Sequence, residues 1–239
     1  MRVEIIESTP NPEEVACRAA RGDYSSEWIG SDRPFDEVMD SVEGDTLEEK
    51  MHTLIDHLTR SGHYGPFEHP TATFAVEGVS RACMAQITRH RHASFDVMSL
   101  RYVDLSGEDA LNERFAYPDT FSAEEVVSRE GVEEIDLSAE ERNAMARDIY
   151  QRCMDAYSEM VEAGVPKEDA RMLLPIGTKV NMTFTMNARA IMHLMNMRLK
   201  ADSQWEIREL SKRVLEECKE WMPYTFEQFE KQHPHKLAP

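Results

Sequence analysis

Lysine is scarce in this sequence: it supplies eight of the 27 basic residues in a 239-residue chain that also carries 45 acids and a formal net charge of −18. Acid in such excess repels a nucleic-acid backbone over most of the surface, so a general DNA- or RNA-binding role is set aside, while one local basic pocket stays compatible. Acid surplus with arginine preferred over lysine is the balance expected of a cytoplasmic protein from salt-loving cells, where dense ions screen self-repulsion; an ordinary acidic enzyme is the plainer alternative. Cysteine is also sparse. Cys17, Cys83, Cys153 and Cys218 form no Cys-x-x-Cys pair, which excludes a disulfide framework and a structural zinc. No apolar run approaches the roughly 20 residues that span a bilayer. The opening Met1-Arg2-Val3-Glu4-Ile5 lacks a signal pattern, so a soluble, cytoplasmic protein with no membrane partner is expected. The ten glycines build no phosphate loop of Rossmann or Walker type, and no repeat or low-complexity segment is visible.

What is present reads as helices with a few strands between them. Val3 to Glu7 is a strand, and Asn11-Pro12-Glu13-Glu14 combines a capping residue, a first-turn proline and acids at the positive end of a helix running to Gly22. Thr46-x-x-Glu49, Ser138-x-x-Glu141 and Ser203-x-x-Glu206 are capping boxes that open three more helices. The first ends at Gly62, and the last runs through Ile207, Leu210, Val214 and Cys218 to Trp221. In the middle one, Met145, Ile149, Cys153, Ala156 and Met160 recur at core spacing as far as Gly164. Alternation predicts strands at Thr71–Val76 and Val180–Met186, a short helix at Ser80–Arg89, and a helix capped by Asn187. Residues 104 to 136 are acidic and poorly periodic, and read as a surface excursion. Strands separated irregularly by helices make the class α+β, in a single domain.

The chemistry concentrates between Arg89 and Tyr102, where three arginines, two histidines and two serines fall within fourteen positions. A guanidinium grips a phosphate or a ring carbonyl in two places, which a lysine point charge does not do, so the stretch reads as a nucleotide-phosphate site. Further along, Arg189 and His193 stand four apart on one helix, and Arg198 ends the apolar stripe of Ile191, Leu194 and Met195. Ser99 lacks a base and acid at suitable spacing and is assigned to binding. His63, Glu68, His69, His90 and His92 allow a second reading, a metal-dependent phosphohydrolase. A third is a nucleotide-binding module that turns nothing over.

Three separated blocks together resemble one family, the flavin-dependent thymidylate synthases. They are Gly62-His63 with Pro66 to His69; Gln86 with Arg89-His90-Arg91, Ser99 and Arg101; and Ala170-Arg171, Leu174-Pro175, Asn187 to Arg189, Arg198 and Gln204 to Ile207. The resemblance implies helices around a small antiparallel sheet, and reductive methylation of dUMP to dTMP. FAD would carry hydride from NADPH and methylenetetrahydrofolate would supply the carbon, with no metal. It further implies a homotetramer with sites shared between subunits. Thr71, Arg89, His90, Arg91, Val97, Asn187, Ala188, Arg189 and His193 would hold FAD. Gln86, Arg89, Val97, Met98, Ser99, Leu100, Arg101, Arg171 and Arg198 would hold dUMP, with Arg198 catalytic at the uracil. Asp96 and Val97 depart from the commoner Asn and Glu of the family, leaving only a backbone contact at Val97.

Overall fold

A computed structural model describes residues 1–106, 111–124 and 137–233. The order begins β1 (Arg2–Ser8), α1 (Pro12–Gly22), α2 (Phe35–Val38), α3 (Leu47–Ser61), a 3-10 turn (Gly65–Glu68), β2 (Thr71–Ser80), α4 (Arg81–Ile87) and β3 (Ala93–Val97). It continues with α5 (Leu111–Arg114), α6 (Ala139–Glu162), α7 (Lys167–Ala170), β4 (Lys179–Asn187), α8 (Ala188–Arg198), α9 (Trp205–Trp221) and α10 (Pro223–Gln232). The α+β class and the small antiparallel sheet hold, with strand order β1-β2-β4-β3.

The chain divides into two compact units: Met1–Glu77, Gln86–Asp96 and Met182–Pro239 make the first, and Gly78–Ala85 with Val97–Asn181 make the second. In the first, β1 and β2 pair antiparallel with Val3 opposite Val76 and Ile5 opposite Phe74. Alternate residues point inward, so Ala72, Phe74 and Val76 on β2 and Met182, Phe184 and Met186 on β4 are buried. Phe74 and Phe184 stack with ring centroids 4.9 Å apart. On α9, Ile207, Leu210, Val214 and Cys218 are all buried, and the helix lies against β1, α8 and α10.

Side-chain caps set the starts of α3, α6, α8 and α9. Thr46 and Ser138 complete both arms of their boxes. Two expected caps differ. Asn11 sits in the left-handed region with φ 47°, and its backbone carbonyl, not its side chain, accepts from the Val15 amide; asparagine tolerates that conformation, which aims the chain into α1. At α9 the side-chain oxygen of Gln204, one residue after Ser203, accepts from the amides of Glu206 and Ile207, and the Ser203 hydroxyl turns back to the Met197 carbonyl.

In the second unit Phe115 stacks on Tyr150 at 4.4 Å and packs with Met154, Tyr157 and Ala170. The expected surface excursion is therefore corrected at Phe115 and Ala116, which are interior: short as it is, the apolar Phe115-Ala116 pair is worth burying. Residues 107–110 and 125–136 of that excursion lie outside the described residues. The stripe expected to be core on α6 is corrected too. Met145, Ile149 and Met160 are exposed, because Met154 and Tyr157 on a neighbouring face take the interior.

Candidate active site

β4 ends at Asn187, whose side-chain oxygen accepts from the Ala190 amide and starts α8 at that point. One face of α8 then presents Arg189, Ala190, His193 and Met197 to a cavity of about 720 Å³ in the first unit. The opposite wall is the segment after α4, Arg89 to His92, with Glu68 at the end of the 3-10 turn. Arg198, on the last turn of α8, completes the lining with Met186 and Asn187.

The charges in this cavity are unusual for so acidic a chain. Its single carboxylate, Glu68, is joined to Arg189 by an ion pair. Arg89, Arg91 and Arg198 have no ion pair among the described residues, so three guanidinium charges face one space uncompensated. Arg198 is instead held by neutral acceptors: its Nε donates to His90 Nε2 at 3.1 Å and an Nη donates to the Gln86 carbonyl at 3.2 Å. A ring nitrogen that accepts carries no proton, which places the His90 proton on Nδ1. Burial, with Arg198, His193 and Arg89 adding to it, lowers the His90 pKa to about 4, so the ring is neutral near pH 7. His193 meets it edge-on at 5.8 Å between ring centroids.

Other residues expected in the site lie elsewhere in the first unit. The Gln86 side-chain amide donates to Gln204 at 3.3 Å. Ala188 is buried, and its amide donates to the Pro70 carbonyl. Thr71 is tied to Thr9 through the hydroxyl and both backbone amides. In the second unit, the Ser99 hydroxyl accepts from the Arg101 amide at 3.3 Å and Leu100 is buried. The Met98 amide donates to the Asn181 carbonyl, and Val97 ends β3. Glu168 gathers two of the expected arginines: its carboxylate pairs with Arg101 Nε at 2.5 Å, and its carbonyl accepts from Arg171 Nε at 3.0 Å.

Sequence reasoning weighed Glu68 only as a metal ligand and passed over Ala190 and Met197; stepping three and four residues along α8 from His193 finds both. Three of the five residues of the metal reading have other partners. His63 shares a hydrogen bond with the Tyr24 hydroxyl, Glu68 serves Arg189 and His90 serves Arg198. Among the described residues no group of three or more His, Cys, Asp or Glu is placed to hold a metal ion, and no helix is long and apolar enough to cross a membrane.

Comparison with known proteins gives concordant results. A family model described as thymidylate synthase complementing protein matches residues 4–224. A flavin-dependent thymidylate synthase of Halobacterium salinarum is 48% identical over 248 residues, covering 100% of each chain, and one of Haloarcula marismortui is 47% identical over the same span. In fold, the chain is similar to the UMP/dUMP methylase PolB of Streptomyces cacaoi bound with 5-Br dUMP. The TM-score is 0.76 at 23% identity, covering 100% of this chain and 97% of that one.

Proposed function

Since the chain belongs to the flavin-dependent thymidylate synthase family, and with it methylates dUMP to dTMP, we propose that Arg198 acts on the uracil while the other cavity arginines hold the cofactor. Methylenetetrahydrofolate supplies the carbon, and FAD, reduced by NADPH, carries the hydride. The residues present fit that cofactor. A dinucleotide's pyrophosphate asks for charge-assisted donors, and Arg89, Arg91 and Arg189 offer planar forks to one cavity, which the start of α8 also lines with a dipole that favours an anion. Asn187, Ala188, His90, His193, Thr71 and Val97 make up the rest of the proposed FAD set.

Arg198 has a different task. Uracil must gain electron density at the carbon to be alkylated, and a fixed positive charge at the ring edge stabilises that anionic form without losing a proton. Three uncompensated guanidiniums in one cavity of a −18 chain is the observation that carries the reading. Gln86, Arg89, Val97, Met98, Ser99, Leu100, Arg101 and Arg171 are proposed to hold the rest of dUMP, Arg101 and Ser99 at its phosphate. Arg198→Ala should purify yellow with flavin yet form no dTMP, whereas Arg91→Ala should lose flavin. An Arg198→Ala enzyme with normal turnover would remove it from the mechanism.

We also propose that both units work as one domain in a cytoplasmic, salt-adapted homotetramer whose pockets draw on more than one copy. Remixing unfolded Arg91→Ala and Arg198→Ala chains should restore some activity, since part of the pockets then hold both arginines. A mixture that exchanges subunits and stays inactive would refute sharing.

A further inference from the structure

Helix α9 starts on a side chain that also touches one of the residues proposed to hold dUMP. Gln204 Oε1 accepts from the backbone amides of Glu206 and Ile207, each at 3.1 Å. The same oxygen lies 3.3 Å from the side-chain nitrogen of Gln86, which stands 118 positions earlier in the chain. Gln86 is in turn fixed to the residue proposed at the uracil, since its carbonyl accepts from an Nη of Arg198 at 3.2 Å. All of these residues belong to the first unit.

These contacts decide which way round the Gln86 amide stands. A backbone N–H only donates, so the Gln204 atom that faces Glu206 and Ile207 is its oxygen. That oxygen only accepts, so Gln86 turns its NH2 towards it and its own side-chain oxygen away. The turn sets which end of the amide a nucleotide meets, whatever neighbours of its own chain that oxygen also has. An acceptor is the complement of uracil, whose N3 carries a hydrogen. It is the wrong group for cytosine, whose N3 is a bare lone pair, because two acceptors set face to face leave both without a donor. An amide free to rotate would serve either base, since a flip exchanges donor for acceptor.

On the reading above that Gln86 holds dUMP, we propose that Gln204 is a positioning residue for base selection. By holding the Gln86 NH2 it presents the Gln86 oxygen to the uracil N3–H, and so favours dUMP over dCMP. Dissociation constants for both nucleotides are measured by calorimetry on the FAD-loaded enzyme, without folate or NADPH, for the wild type and three variants. Gln204→Asn separates the two tasks of the side chain, because asparagine caps a helix well but is one methylene shorter, which withdraws its oxygen from Gln86. It should melt close to the wild type while the preference for dUMP over dCMP falls by about fivefold or more, the worth of one neutral hydrogen bond. Gln204→Glu still offers an acceptor and should keep the preference. Gln86→Met should weaken dUMP; unchanged dUMP affinity there would sink the reading of Gln86 and the role of Gln204 together. With dUMP weakened in Gln86→Met, an unchanged preference in Gln204→Asn would sink the role of Gln204 alone, including where both nucleotides weaken alike, as a damaged helix start would make them. A preference lost in Gln204→Glu as fully as in Gln204→Asn would also overturn it, and so would a wild type that binds dCMP as tightly as dUMP.

Discussion

Arg198 and Arg101 are both proposed to meet the same nucleotide, yet their surroundings are opposite in kind. Arg198 rests on an imidazole and a carbonyl, which orient it without cancelling its charge. Arg101, with a side chain 57% exposed, is already paired with the Glu168 carboxylate. A guanidinium fixed by neutral acceptors is suited to stabilising charge that develops during reaction, because nothing must move when the charge appears. One held by a carboxylate suits an exchange, in which an incoming phosphate takes the place of the carboxylate oxygens.

That contrast is tested most severely by Arg198→Lys, which keeps the charge but loses the fork to His90 and Gln86. Turnover should fall by about 100-fold or more with flavin retained; a loss confined to KM would erase the distinction. Arg101→Ala should act on the other quantity, raising KM for dUMP by about tenfold or more, the worth of a charged hydrogen bond, while kcat changes little. A drop mainly in kcat would make the two arginines alike.

Acid should expose the neutral support of Arg198. The His90 pKa lies at about 4 in the folded protein against an ordinary 6.5, so folding favours the uncharged ring. Its contribution to stability is complete above the ordinary value and is lost as pH falls from about 6.5 towards about 4. His90→Gln keeps a neutral acceptor that does not titrate, and its melting temperature should therefore decline less across that window than the wild type's. Equal slopes would show that His90 does not carry the acid sensitivity. The smallest effect is expected of Ser99→Ala, because a neutral hydroxyl is worth about 1 kcal/mol net, or roughly fivefold in dUMP affinity. Abolished chemistry with dUMP still bound would give Ser99 a covalent role.

Much of the fold was legible because it is local. The boxes at Thr46 and Ser138 and the alternation in β2 and β4 depend on neighbours within a few positions. Asn11 and Ser203 were misjudged where a backbone conformation or an adjacent, longer side chain took over the capping. The cavity was legible only as a set of residue types. Its defining contacts join Arg198 to His90 across 108 positions and Arg189 to Glu68 across 121, distances over which periodicity carries no information. The α6 stripe teaches a related lesson: regular apolar spacing marks one face of a helix, yet Met145, Ile149 and Met160 are exposed while Met154 and Tyr157 beside them are buried.

The division into two units has a consequence for synthesis. The chain passes between them four times, after Glu77, Ala85, Asp96 and Asn181. On the ribosome, β1 and β2 emerge first, but β4, α8 and α9 are encoded only after most of the second unit has been made. At the usual elongation rate the early strands wait about 5–20 s for the neighbours that complete their core. Through that interval their apolar faces and open edges are exposed to chaperones and to other nascent chains, and a stop codon before α8 leaves Arg89, His90 and Arg91 with no opposite wall to face.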